Sequence, residues 1–176
     1  MLCHGTKARI FLPLFSAVFL SDCVSKRVAV DQLSPPYIPH DVFGDVVRFT
    51  LAYNVRAAMG LTAGSASRWI LAGVAIAMLI GVVVWLLRTK RDDPALFSGI
   101  ALVAAGALGN LVDRLRWDRG VVDFIDLGIG DARFWIFNVA DMAITLGVVV
   151  LWFALRHDGP KPASADETAH AAVPPL

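Results

Sequence analysis

Two aspartates, Asp123 and Asp141, stand where carboxylates are costly. Asp123 lies in the apolar run Val121–Asp126, after a charged turn, and Asp141 lies inside the apolar segment Phe134–Leu155. An ionisable side chain in a membrane-type segment is expensive to hold and marks a functional site by default. Asn138, Asp141 and Thr145 fall at i, i+3 and i+7. As a polar stripe on an apolar helix they are expected to face the bundle interior, because hydrocarbon cannot satisfy them. Two carboxylates sharing a low-dielectric site cannot both ionise easily; they hold one proton between them and titrate as a unit. Such a dyad suits peptide hydrolysis without a metal. The ionised member takes a proton from the attacking water, and the protonated member donates to the carbonyl oxygen. On the residues alone, Asp113 and Asp126 stay open as partners of Asp141. So do two other functions: a small proton- or ion-conducting membrane protein with Asp141 and Asn138 lining its pathway, and a non-catalytic assembly subunit.

The elements that must position these groups read as membrane spans. At 57% hydrophobic residues and a mean hydropathy of +0.64, the chain exceeds soluble-domain usage. Its net charge of +1 gives no global field for nucleic acid. Cys3 and Cys23 have no metal-ligand spacing, so neither a zinc site nor a structural disulfide is expected. The expected fold is an all-α membrane domain over residues 1–157. Its four spans lie at about 10–30, 69–87, 95–112 and 134–155. Loops 31–68 and 113–133 join them, and a disordered tail covers 158–176.

The first span carries Asp22 and Lys26 at i, i+4, with Lys26 expected to snorkel to the interface and pair with the carboxylate. Leu20-Ser21-Asp22-Cys23 imitates a lipoprotein cleavage box, but Asp22 fills the position that should be small and the apolar block continues past the cysteine. A retained helix is the expectation. In the 31–68 loop, Pro35, Pro36 and Pro39 break helix, and Val47–Tyr53 alternates with period two as a half-buried strand does. This loop is expected to form a small sheet on the membrane surface. Ala105 and Gly109 permit a close helix contact, and Asn110, Asp113 and Arg114 share a face. Read separately, Asp113–Arg114 and Asp22–Lys26 are ion pairs at helix ends, and Asn110 and Asn138 are hydrogen-bond links between helices.

Basic residues cluster at the amino end, at Arg88–Arg91 and after Arg156, which predicts that both termini are cytoplasmic. The two loops, with Asp22, Asp113 and Asp123, then fall at the outer face, and Asp141 about two turns inside the fourth span.

Gly109-Asn110-Leu111-Val112-Asp113-Arg114, Val121–Asp126 and Phe137-Asn138-Val139-Ala140-Asp141 occur in this order. With Asp22, Ser25, Lys26, Asn54, Ala57 and Ala58, they resemble the lipoprotein signal peptidase (signal peptidase II) family over nearly the whole chain. The resemblance implies an aspartic endopeptidase with four membrane helices and an extracytoplasmic loop region, needing no cofactor. Asp123 and Asp141 match the catalytic pair. Asn54, Asn110, Asp113, Arg114 and Asn138 match pocket positions, and Asp22 and Lys26 match structural or substrate-side positions. The implied substrate is a prolipoprotein whose lipobox cysteine bears diacylglycerol, cut just before that cysteine. The implied surroundings are the phospholipid of a bacterial inner membrane, with the site toward the periplasm.

One motif departs from the family. Asn54-Val55-Arg56-Ala57-Ala58-Met59 has Arg56 where the family has a glycine free to adopt positive φ, and Met59 where it has an aromatic. If Arg56 contacts lipid phosphate or substrate backbone, Arg56→Gly raises KM and changes its salt dependence. An unchanged KM with unchanged salt dependence counts against such a contact.

Overall fold

Four apolar blocks fold as four helices, and the polar chain between them supplies a small sheet at one end of the bundle. The computed structural model describes residues 3–55 and 66–156. In order these are α1 (Cys3–Gln32), β1 (Pro39–Phe43), β2 (Val47–Asn54), α2 (Ala66–Arg88), α3 (Pro94–Arg116), β3 (Val121–Ile129), β4 (Ala132–Arg133) and α4 (Val139–Arg156). All four helices are long and apolar enough to cross a membrane. Arg56, Met59 and the 158–176 tail lie outside the described residues.

The third helix is central and packs against α1, α2 and α4. Its residues Leu96, Ile100, Val103 and Ala104 join Val82 and Ala154 in the apolar core at the end far from the sheet, with Phe11 and Phe15 against them. The other three helices turn large apolar side chains outward, including Leu12, Ile70, Val74, Leu146 and Val148. In water that surface would be a liability; in a bilayer it is the lipid contact.

Small residues set the helix spacing. A Cβ on Gly106 would stand 2.3 Å from the carbonyl oxygen of Ala140, and one on Gly109 would stand 2.3 Å from an Asp22 carboxylate oxygen. Fully buried Ala105 completes this face. Glycine is required here for close approach, since van der Waals packing substitutes for the hydrophobic effect between helices in lipid.

Helix ends are tied by side chains. Asp93 accepts from the N–H groups of Ala95 and Leu96 at 2.9 and 3.3 Å, with Pro94 at the first helical position of α3. At the other end of α3, Arg68 donates to the carbonyls of Arg114 and Leu115 and pairs with Asp118.

The sheet runs β1-β2-β3-β4, with every pairing antiparallel. Its second strand coincides with the period-two stretch. The third and fourth strands replace the expected loop at 113–133. A further turn of α3 places Asp113 and Arg114 on the helix, not in a loop. Buried Asp126 fastens the sheet by accepting from Thr50 at 3.1 Å and from Arg133 at 3.0 and 2.8 Å. The largest difference is at α4. Residues Phe134–Asn138 are extended, and Phe137 is bridged to Ile125, its N–H donating at 3.0 Å and its carbonyl accepting at 2.8 Å. The fourth helix therefore begins at Val139, and Asp141 sits in its first turn, not two turns deep.

Substituting Gly106→Ala should lower the detergent melting free energy by about 1–3 kcal/mol through overpacking against α4. Gly81→Ala, where a Cβ meets nothing within 4 Å, should be neutral or slightly stabilising through helix propensity. Equal melting temperatures for the two variants would contradict this account of the α3–α4 contact.

Candidate active site

Asp123 and Asp141 meet because the chain doubles back between them. Opposite Asp123 in the β2–β3 ladder is Ala52, and Asn54 lies two residues along the same face. Asn54 Nδ2 accordingly reaches an Asp123 carboxylate oxygen at 3.0 Å. The Phe137–Ile125 bridge then brings Asn138 alongside, and its Nδ2 donates to the other Asp123 oxygen at 2.6 Å and to the Val122 carbonyl at 3.2 Å. Gly120, at φ +89°, makes the turn into β3 beside Asn54, where a Cβ would stand 2.3 Å from the Asn54 carbonyl oxygen.

Asn138 also starts α4. Its side-chain oxygen accepts from the Asp141 N–H at 2.9 Å, and Asp141 reaches back to the Asn138 N–H at 3.3 Å. This is a reciprocal capping box, here with Asp in the third helical position. The pattern Asn-x-x-Asp was present in the sequence as the signal for it, hidden by the apolar Phe134–Phe137 run ahead of it. The Ala140 N–H, another donor of this first turn, is taken by Asp22 of α1 at 2.9 Å. Two carboxylates thus cluster where N–H groups and the positive end of the helix dipole favour negative charge.

Behind the pair lies a buried charge network. Lys26 Nζ contacts Asp22 at 2.7 Å, Asp113 at 3.0 Å and the Asn110 side-chain oxygen at 3.0 Å, three acceptors for its three donors. The lysine is 4% exposed, so it does not snorkel to the interface as expected; it is buried because its partners are. Asp113 pairs with Lys26, not with Arg114, and its second tie is to the Val122 N–H at 3.2 Å.

Asn110 passes this network to the site. A lysine can only donate and an ionised carboxylate can only accept, so the Asn110 oxygen turns to Lys26 and its Nδ2 to Asp141, at 2.7 Å. The same oxygen accepts from Asn138 at 3.2 Å. Arg114 Nη1 folds back to the Asn110 carbonyl at 3.1 Å, and its charge lies within electrostatic reach of both Asp123 and Asp141. Thr145 departs from expectation. It is exposed, and its hydroxyl bonds to the Asp141 carbonyl at 2.9 Å, so the polar stripe ends at Asp141.

Asp123 is 2% exposed. Burial, and secondarily the charge of Asp141, pushes its carboxyl from the ordinary range up to about 7; the hydrogen bonds from Asn54 and Asn138 pull the other way. Beside it opens a shallow cavity bordered by Tyr37, Tyr53, Asn54, Trp135 and Ile136. Among the described residues no cluster of His, Cys, Asp and Glu has the arrangement of a metal site.

The family model for signal peptidase (SPase) II matches residues 14–156. The lipoprotein signal peptidase of Coxiella burnetii (strain Dugway 5J108-111) is 40% identical over 149 residues, covering 82% of this chain and 88% of that protein. That of Pseudomonas aeruginosa PAO1 is 42% identical over 137 residues, covering 76% and 80%. A solved bacterial membrane enzyme superposes with a TM-score of 0.76 at 28% identity, over 91% of this chain and 95% of the other. The chain therefore belongs to the signal peptidase II family and is an integral membrane protease of lipoprotein processing.

Proposed function

We propose that the protein is an aspartic endopeptidase that cuts diacylglyceryl-modified prolipoproteins just before the lipidated cysteine, using Asp123 and Asp141. The observation that carries this reading is the pairing of two unlike carboxyls through one asparagine. Asp123, buried and raised to about 7, holds the proton. Asp141, in the first turn of α4 with Asn110 and Asn138 on it, is the base.

In the proposed cycle Asp141 takes a proton from water as its oxygen attacks the scissile carbonyl carbon, while Asp123 gives its proton to the carbonyl oxygen. The resulting gem-diol collapses as Asp141 passes its new proton to the amide nitrogen and one hydroxyl returns a proton to Asp123. The C–N bond breaks, one water is consumed and both aspartates are restored. The leaving group is the α-amine of the lipidated cysteine. Asn138 and Asn110 keep the two carboxyls in register, and Asn54 holds the outer oxygen of Asp123.

The basic residues at Lys7, Arg9, Arg88, Lys90 and Arg91 support a cytoplasmic location for that end and a periplasmic one for the sheet and the site, in a bacterial inner membrane. A lipid-anchored substrate then presents its scissile bond at the outer interface, beside the aspartates. A proton pathway would need ionisable groups spaced across the bilayer. Among the described residues Asp22, Asp113, Asp123 and Asp141 gather toward the sheet end of the bundle, and no acidic side chain lies in α2 or in the far half of α1, α3 or α4, which disfavours conduction.

With purified protein and a diacylglyceryl-modified prolipoprotein in detergent, Asp123→Asn and Asp141→Asn should each lower kcat by about 10²–10⁴-fold while the protein stays folded. Chelators should have no effect. Full activity in either variant would remove that residue from the dyad. The alkaline limb of kcat should fall as pH rises through about 7, where Asp123 loses its proton. Because the Asn54 hydrogen bond lowers the Asp123 pKa, Asn54→Ala should move that limb to higher pH. A shift to lower pH, or none, would show that Asn54 does not act on the Asp123 proton.

A further inference from the structure

On the far side of Lys26 and Asp113 from the aspartate pair, a second cavity of about 120 Å³ opens between the ends of α1 and α3. It has room for more than one water, each of which takes about 30 Å³. Its lining has four basic side chains, Lys26, Arg27, Arg116 and Arg119, against one acidic side chain, Asp113. Lys26 and Asp113 form its floor, and the lysine is already held by Asp22 at 2.7 Å and Asp113 at 3.0 Å, so it is not available to a further anion. Arg27 is pinned to Asp31 at 2.9 Å. That leaves Arg116 and Arg119, both exposed and both without a carboxylate among the described residues. They lie over the same indole, Trp117, at 5.1 and 4.9 Å, and Arg119 also lies over the Tyr53 ring at 4.3 Å. Two like charges gathered on one ring, with no anion between them, repel at close range. The carbonyls of Arg114 and Leu115 at the end of α3 do not relieve this, since Arg68 occupies them.

The position of the cavity narrows the choice of anion. Helices α1 and α3 end as apolar spans at Gln32 and Arg116, so the pocket mouth lies where hydrocarbon gives way to headgroups. Trp117 and Tyr53 are the residue types that favour that plane. Cys23 and Val112, further inside α1 and α3, continue the pocket wall toward the acyl region. An anion bound here would have a charged head at the arginines and an apolar body along α1 and α3.

We propose that this groove is a binding site for one anionic glycerophospholipid of the surrounding leaflet, its phosphodiester held by Arg116 and Arg119 and its acyl chains lying along α1 and α3. Arginine is suited to this role because its planar fork meets phosphate oxygens bidentately while its face stays on the aromatic ring. The site is separate from the aspartate pair and does not depend on which leaflet the sheet faces.

Native mass spectrometry of the full chain released from detergent with phosphatidylglycerol or phosphatidylcholine tests the proposal. One phosphatidylglycerol per chain should be retained, with at least a tenfold preference over phosphatidylcholine. Arg116→Gln/Arg119→Gln should reduce it to the phosphatidylcholine level. Arg116→Lys/Arg119→Lys should keep most of the preference, and Arg88→Gln/Lys90→Gln, at the opposite end, should keep all of it. Equal retention of the two lipids, or undiminished preference in the Gln double variant, would overturn the proposal. Displacement of phosphatidylglycerol by millimolar inorganic phosphate would overturn the lipid assignment in favour of a small-anion site. If the Gln variant does not fold, the lipid comparison and the phosphate competition on the unaltered protein still decide.

Discussion

The structure depends on one buried ammonium. Lys26 sits in an apolar helix with almost no exposure and uses its three protons on Asp22, Asp113 and Asn110. Each partner is tied to another element: Asp22 to the first turn of α4, Asp113 to the start of β3, and Asn110 to Asp141. One charge therefore sets the mutual positions of α1, α3, α4 and the sheet. Buried ion pairs are seldom a net gain over apolar packing, yet losing one partner leaves an uncompensated charge at a cost of about 3–5 kcal/mol. The network is better understood as a specification of geometry than as a source of stability.

That geometry puts two carboxyls in unlike surroundings. Asp123 lies on a buried strand with two amide donors and, among the described residues, no cation in hydrogen-bond contact, so desolvation dominates and its proton is held to near neutrality. Asp141 lies at a helix N-terminus, within a capping box and against the Asn110 amide. Asn138 touches both, donating to one carboxylate through its side chain and to the other through its backbone. Its deep burial follows from having every polar group engaged: its amide nitrogen, its side-chain oxygen and its backbone N–H all have partners.

Much of this was legible before the fold. Carboxylates in apolar surroundings made Asp123 and Asp141 candidates, with only the family resemblance favouring Asp123 over Asp113 and Asp126. Long apolar runs identified the four helices, and the alternation at Val47–Tyr53 identified a strand. What could not be read has physical causes. Phe134–Phe137 is apolar whether it pairs with a strand or enters a helix, so periodicity could not locate the start of α4 or place Asp141 in its first turn. Lys26 looked like half of a local i, i+4 pair because its other partners, Asn110 and Asp113, lie more than 80 residues away along the chain. The strand at Val121–Ile129 was masked by its charges: Asp126 reads as a loop residue until Thr50 and Arg133 are seen to satisfy it. Thr145 had the spacing of a pocket residue, but a hydroxyl can be satisfied by its own helix, and this one is.

In the proposed mechanism burial makes Asp123 the proton holder of the pair. Infrared difference spectroscopy of the protein in lipid, titrated across neutral pH, observes the protonated-carboxyl C=O stretch directly. A protonated Asp123 should give a band that disappears with a midpoint of about 7 and is absent from Asp123→Asn. A band that persists unchanged in that variant, or no carboxyl titrating near neutrality, would contradict it.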